Sequence, residues 1–277
     1  MSARLFEEAD HAECYQKSRP DWPQEIIQTC LSFLREKRTG PFELAVDVAC
    51  GSGQSTRPLA PHFAKVIGTD ISEEQLGAAK RVSNPPNVEY RIGRGECIPV
   101  ADNSADLVTC ATAVHWLDVD EFFREVDRVL KPLGCVFIYS YHIIYPYWEG
   151  EDSMNQELEK LVREVFMNIL VPHFNDRIHL ALNNLTDIRI PYAENIRNEA
   201  LEFRQESSVE SYMGYLKSLS GYRAYRQKNP NLPDPLDTVQ ELLTVSGSKT
   251  RYQDPKLYMR SPVVVLLGRK LESKNVK

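Results

Sequence analysis

The sequence predicts an α/β fold, a doubly wound and mostly parallel sheet with a helical cap, and three observations carry that expectation. Residues 44–49 (LAVDVA) are apolar except for Asp47 and run into the glycine turn Gly51–Ser52–Gly53, which is the pattern of a strand buried on both faces. A second apolar run, KVIGTD, ends on Asp70, so strand, glycine turn, helix, strand and acid follow one another as in the nucleoside-binding half of a doubly wound sheet. Beyond Tyr145 the period changes: ELEKLVREVFMNIL repeats its apolar residues every three or four positions and predicts helices that cap the sheet edge.

Taken in order, the chain first offers AECYQKSRPDWP, where Tyr15 and Arg19 stand one helical turn apart just ahead of two prolines that stop a helix. A surface helix packing on the domain is the plain alternative for this segment. Ile26 to Leu34 (IIQTCLSFL) puts its apolar side chains on one helical face and is expected to cover the sheet. After the first strand, Thr56 to Phe63 is expected to form the helix of the unit. Asp70 is followed by ISEEQLGAAKR, in which Ser72 is a suitable N-cap, Glu73 and Glu74 suit a first turn, and Lys80 and Arg81 suit a last one. Ile71 and Gln75 then lie beside the end of the second strand.

Asn84 to Pro86 break that helix and NVEYRIG reads as a third strand. DLVTCA (residues 106–111) is a fourth, and its continuation ATAVHW projects Ala111, Thr112, His115 and Trp116 at the carboxyl edge where doubly wound folds place ligands. His115 is the candidate catalytic group there, as a base or a substrate contact; a purely structural pair, His115 orienting the loop over Trp116, is the alternative. Asp118 opens the amphipathic helix DVDEFFREVDRVL, which ends before Pro132 and Gly134. GCVFIYSYHII is the fifth strand and brings Tyr141 and His142 to the same edge. The cap follows, with a strand from about Ala200 to Glu206, a helix capped near Ser208, a short helix over PDPLDTVQELL, and a last strand in SPVVVLLGRK.

The ligand is narrowed by what the glycine turn lacks. Thr56 stands where a dinucleotide fingerprint has its third glycine, and Asp47 beside the loop would repel a pyrophosphate. An acid there suits a ligand that brings an ammonium group and no phosphate, a description that S-adenosyl-L-methionine meets. In that scheme Ala49, Gly51 and Gly53 let the backbone approach the methionine part, Asp47 holds the ammonium directly or through water, and Asp70 accepts from the ribose hydroxyls. Ile71 packs on the adenine face and Gln75 reaches the ribose edge.

DVACGSGQST, then GTDIS, then GECIPVADNSADLVTCATAVHW resemble the class I S-adenosylmethionine-dependent methyltransferases, in family order across residues 11 to 142. The sequence is most similar to their small-molecule branch, which includes the trans-aconitate methyltransferases. The resemblance implies a seven-stranded Rossmann-like sheet with an antiparallel last strand, and a lid in which Tyr15 and Arg19 cover the cofactor. It also implies adenine contacts at Gly95 and Glu96, although the family's acid is replaced here by Arg94, which has no acceptor. A carboxylic acid acceptor is implied by the same branch, for which Arg204, Arg223 and Arg226 are the cations on offer; Trp116, Tyr141, Arg204 and Arg223 are the expected substrate contacts.

On this reading residues 1–277 form a single methyltransferase domain: N-terminal lid helices at 1–40, a cofactor half at 41–144, the cap and substrate-side insertions at 145–260, and the last strand at 261–270. With 277 residues, 42% of them hydrophobic, the chain can fill one sizeable core. A net charge of -6 argues against a nucleic-acid partner. Six cysteines without CxxC spacing imply neither a disulfide frame nor a metal site. The acidic N-terminus is unlike a signal peptide, and no apolar stretch is long enough to cross a bilayer, so a cytoplasmic enzyme with a small-molecule substrate and no membrane partner is expected. Two other functions remain open: a nicotinamide-dependent (NAD(P)) oxidoreductase on a similar sheet, and a non-catalytic binding module, which Arg94 keeps in view.

Overall fold

In the computed structural model the chain is described at Arg19 and over residues 22–250 and 255–272, so the lid residue Tyr15 lies outside the described residues. Five parallel strands form the centre of the sheet: β1 (Phe42–Val48), β2 (Phe63–Asp70), β3 (Val88–Ile92), β4 (Ala105–Ala111) and β5 (Leu130–Tyr141). β1 and β4 are wholly or almost wholly buried along their apolar residues, as expected of strands covered on both faces. The strand order runs β3-β2-β1-β4-β5 and then to β8 (Leu257–Arg269), which is antiparallel to β5. Chain order therefore reverses direction between β1 and β4, and the crevice outside their carboxyl ends is the switch point of the sheet.

β7 (Glu194–Ser207) pairs along the other side of β8, extending well beyond the expected Ala200–Glu206 because β8 offers thirteen residues to pair with. By pairing, the sheet has eight strands. Its seven positions are those expected, because β6 (Tyr145–Trp148) takes up the β5 side of β8 where β5 leaves off, with Tyr141 opposite Val263 and Tyr145 opposite Arg260.

Helix α1 (Gln24–Arg35) buries Ile26, Ile27, Cys30, Leu31, Phe33 and Leu34 on one face of the sheet. α2 (Glu73–Arg81) begins as expected, with the Ser72 hydroxyl accepting from the Gln75 N–H at 3.2 Å. α3 (Val119–Val129) is capped by Asp118 and lays Phe122, Phe123, Val126 and Val129 on the opposite face. The helix expected over Thr56–Phe63 is instead a 3-10 turn, Arg57–His62. Pro58 and Pro61 are the cause: neither has an N–H to give, and a ring inside the turn clashes with an α-helical carbonyl.

The cap consists of α4 (Asp152–Glu164), a π-helical turn at Val165–Leu170, α5 (Ile178–Leu182), α6 (Val209–Lys217), α7 (Ser220–Lys228) and α8 (Asp237–Lys249). Ser208 caps α6 as its sequence suggests, accepting from the Ser211 N–H at 3.1 Å. Two polar anchors fix the cap to the sheet. Asn155 exchanges two 2.7 Å hydrogen bonds with the backbone of Trp148, and the buried Tyr212 hydroxyl donates to the Ile144 carbonyl at 3.0 Å. Among the described residues no helix is long and apolar enough to cross a membrane.

Candidate functional site

β1 carries Asp47 to a position near its end where the side chain is completely buried. The Ser55 and Thr56 hydroxyls donate to its Oδ2 at 2.6 Å each, and the Thr109 hydroxyl of β4 donates to Oδ1 at 2.7 Å. Burial pushes this carboxyl up from its ordinary value, and the three hydroxyls pull it partly back. Asp47, expected to hold the ammonium directly or through water, does not itself line the crevice: its oxygens face the loop and the neighbouring strand. Asp47 instead ties the glycine turn to the strand beneath it.

The turn itself is left-handed at Ala49, Gly51 and Gly53, with φ of 54°, 52° and 85°. Ala49 and Gly51 line the crevice. Gly53, also expected as a contact, is not among the lining residues; a Cβ there would fall 2.2 Å from the Tyr90 hydroxyl of β3, so the position has no room for a side chain.

At the end of β2, Asp70 lines the crevice with its carboxylate fixed from both sides. Gly51 N–H donates to Oδ2 at 2.8 Å and Ser72 N–H to Oδ1 at 2.9 Å. Burial is again the main influence and raises its pKa, against the pull of those backbone donors. Ile71 and Gln75 line the same wall, and the Gln75 Oε1 is buried without a partner in a side chain 3% exposed. Gly95 and Glu96 stand opposite, with the Glu96 Oε1 accepting from the Asp118 N–H at 2.9 Å. Arg94 is turned out, 58% exposed and 3.5 Å from Glu96, so the departure from the family pattern leaves the crevice wall untouched.

The end of β4 supplies the next wall. Ala111 and Thr112 line it, and Thr112 adopts a φ of 50° while its N–H donates to the Tyr139 carbonyl at 2.8 Å. The chain then winds through a 3-10 turn, Val114–Trp116, that puts His115 and Trp116 on the crevice with their rings 4.5 Å apart. His115 is 4% exposed and its Nδ1 has no partner. Burial, with Arg177 adding its repulsion, brings its pKa down to about 4, so the ring is neutral at physiological pH.

From β5, Tyr141 and His142 close the edge. The Tyr141 hydroxyl accepts from Arg19 at 3.0 Å, and the Arg19 guanidinium lies 5.1 Å over the Tyr215 ring of α6. The cavity enclosed by these walls is about 200 Å³, far more than one buried water needs.

Arg204 and Arg223, expected as substrate contacts, do not line this cavity. Arg204 lies on β7, 3.1 Å from Glu149 and 4.1 Å over the Tyr258 ring. Arg226, the third cation proposed for an acid, donates to the Leu232 carbonyl at 2.9 Å. The missed lining residues are mostly apolar: Trp22 next to the lid, and Phe166, Phe174, Ile178, Leu182 and Leu219 of the cap. Their spacing marks buried helix faces, and nothing in a periodic pattern separates a face that packs on a core from one that roofs a cavity.

Comparison with known proteins agrees with this geometry. Residues 46–138 match the sequence family described as a methyltransferase domain. A Dictyostelium discoideum protein named as a methyltransferase is 29% identical over 94% of this chain and 93% of its own length. A Saccharomyces cerevisiae protein named probable S-adenosylmethionine-dependent methyltransferase CRG1 is 26% identical over 80% of this chain and 83% of its own. Among solved structures, one described as a type II methyltransferase from Anaeromyxobacter dehalogenans superposes with a TM-score of 0.71 at 24% identity, covering 92% of this chain and 99% of that one.

Proposed function

We propose, for a chain whose residues 46–138 carry a methyltransferase domain of the class that uses S-adenosyl-L-methionine, that it methylates a small molecule held between the sheet edge and the cap. The observation that carries this reading is the Asp70 carboxylate, fixed by two backbone N–H groups at the mouth of the crevice beside the glycine turn. Each of its oxygens keeps a lone pair for a further donor, which suits a vicinal pair of ribose hydroxyls.

The residues present fit the cofactor. Gln75 Oε1 is a buried acceptor that lacks a donor, and the lining by the turn is acidic, with Arg19 the one cation among the described lining residues. A pyrophosphate finds nothing there to neutralise it, so a nicotinamide dinucleotide is disfavoured. Gly51 and Ala49 bring the backbone against the methionine part, Asp70 and Gln75 take the ribose, and Ile71, Gly95 and Glu96 face the adenine. Ala111, Thr112 and His115 face the methyl, and Arg19 covers the carboxylate.

When bound, the cofactor supplies a methyl group on a positively charged sulfur, a good leaving group without help. The work left to the protein is to orient the acceptor and exclude water. Phe166, Phe174, Leu182 and Leu219 exclude water from the cap side. His115, neutral and with Nδ1 unpartnered, positions a hydrogen-bonding group of the acceptor; its low basicity suits that task better than proton removal. The carboxylic acid acceptor implied by the sequence resemblance loses its three arginines, so the small-molecule reading stands without it.

Calorimetric titration tests the proposal. S-adenosylhomocysteine is expected to bind one to one and NADH not to bind; the reverse order of affinity rejects it, and binding of neither favours a non-catalytic module.

A further inference from the structure

The cavity continues beyond the cofactor walls to a roof of Phe166, Phe174, Ile178, Leu182 and Leu219, on which no described side chain carries a charge. Arg19 at its margin donates to the Tyr141 hydroxyl and covers the Tyr215 ring, and its charge is the one assigned above to the cofactor carboxylate. An anionic acceptor under this roof would give up its water without a dedicated counter-charge, whereas an uncharged apolar body would be held well. An uncharged acceptor must lose a proton when it is methylated on oxygen or sulfur.

Two imidazoles line this space, and each has a ring nitrogen buried without a partner: Nδ1 of His115 and Nε2 of His142. Their surroundings differ. Arg177 opposes a proton on His115. Burial holds the His142 pKa below its ordinary value and Arg163 of α4 adds to this, but the backbone of Ala181 and Leu182 in α5 and the charge of Glu199 of β7 offset part of it, an offset that His115 lacks. His142 as a residue is also less buried than His115, which is 4% exposed.

We propose that the acceptor is an uncharged, largely apolar molecule bearing an aromatic hydroxyl, and that His142 takes its proton. This rests on the methyltransferase reading given above. The acceptor's O–H bond breaks and the proton passes to His142 Nε2. The acceptor atom forms its new bond to the methyl carbon, the pair from the broken methyl–sulfur bond stays on the cofactor as a neutral thioether, and the positive charge ends on the imidazolium.

The test is transfer of labelled methyl to naphthol and naphthoic acid, which share a ring system and differ in charge at neutral pH. Naphthol is expected to be methylated in clear preference to naphthoate, with turnover falling as pH drops below the imidazole pKa. His142→Gln is expected to lower that turnover about 100-fold and to abolish the acidic limb. S-adenosylhomocysteine affinity is expected to stay unchanged in the variant. His142→Asn serves if the Gln variant does not fold. In the intact protein bound to S-adenosylhomocysteine, the His142 ring resonances are expected to shift on adding naphthol. Preference for naphthoate, no transfer to naphthol, or a variant that keeps wild-type turnover and pH profile overturns the proposal. Failure of S-adenosylhomocysteine to bind the wild type removes the methyltransferase reading instead.

Discussion

Thr109 on β4 donates its hydroxyl to Asp47 Oδ1 on β1 at 2.7 Å, and Ser55 and Thr56 close the other oxygen of the same carboxylate from the glycine turn. One buried acid thus joins two neighbouring strands and the loop that forms the floor of the crevice. Asp47→Ala leaves three buried hydroxyls without their acceptor and is expected to destabilise the fold by about 3 kcal/mol. Asp47→Asn keeps one acceptor oxygen, and the Thr109 hydroxyl can turn to accept from the new amide, so about 1 kcal/mol is expected. Urea denaturation of both variants decides this. Equal and small losses would show that the three hydroxyls do not depend on the acid.

Asp70 differs from Asp47 in standing on the cavity surface, and its removal is expected to act on binding first. Asp70→Ala takes away an acceptor that two backbone N–H groups hold in place. A loss of roughly 10- to 100-fold in S-adenosylhomocysteine affinity is expected, the size of a charge-assisted hydrogen bond. Calorimetry measures it, and unchanged affinity would remove Asp70 from the ribose.

The different fates of these acids show what the residues could reveal before the fold was known. Glycine turn, terminal acid and apolar runs are local features set by chain geometry, so β1, β2, β4 and the crevice at their carboxyl ends were legible. Ala49, Gly51, Asp70, Ile71, Gln75, Gly95, Glu96, Ala111, Thr112, His115, Trp116, Tyr141 and Arg19 are indeed brought to one cavity. Which way a side chain points was not legible. Asp47 lies within strand β1, where alternate residues face opposite sides, and its hydroxyl partners come from as far as Thr109. Arg204 is in the same position on β7, where the sheet turns it towards Glu149 and Tyr258 and away from the crevice. The helix expected after the turn failed for a local reason that was visible, the two prolines, whose effect the surrounding helical pattern obscured.

His115 gives a dependence of stability on pH with a definite sign. Its pKa falls from an ordinary 6.5 to about 4 in the folded protein, so the fold favours the neutral ring. The unfolded chain binds the proton more readily between those values, and the stability this ring contributes is present above 6.5 and lost as the pH falls towards 4. Acidification from pH 7 to about 5 is expected to cost roughly 2 kcal/mol through this group alone. Asp47 and Asp70, whose pKa values are raised, act in the opposite direction, because protonating them is easier in the folded state. Comparing urea midpoints of the wild type and His115→Gln at both pH values isolates the histidine. The variant is expected to lose less on acidification, and parallel losses would mean that the ring is protonated in the fold.

Asn155 ties the cap to the sheet at one place, and that suggests a way to loosen the roof without touching the floor. Its Oδ1 accepts from the Trp148 N–H and its Nδ2 donates to the Trp148 carbonyl, both at 2.7 Å, in a side chain 8% exposed. In Asn155→Leu the carbonyl keeps the Glu151 N–H at 3.3 Å, but the Trp148 N–H loses its acceptor and stays buried, at a cost of about 2 kcal/mol. That loss falls on α4 and the π-helical turn behind it, which carries Phe166 of the cavity roof. Amide exchange is therefore expected to quicken across residues 152–170 while β1 and β4 keep their protection. S-adenosylhomocysteine affinity should hold and methyl transfer should fall, because the floor that binds the cofactor is intact and the roof that excludes water is not. If exchange quickens equally in β1, the cap and the sheet open as one unit and the roof has no independent motion.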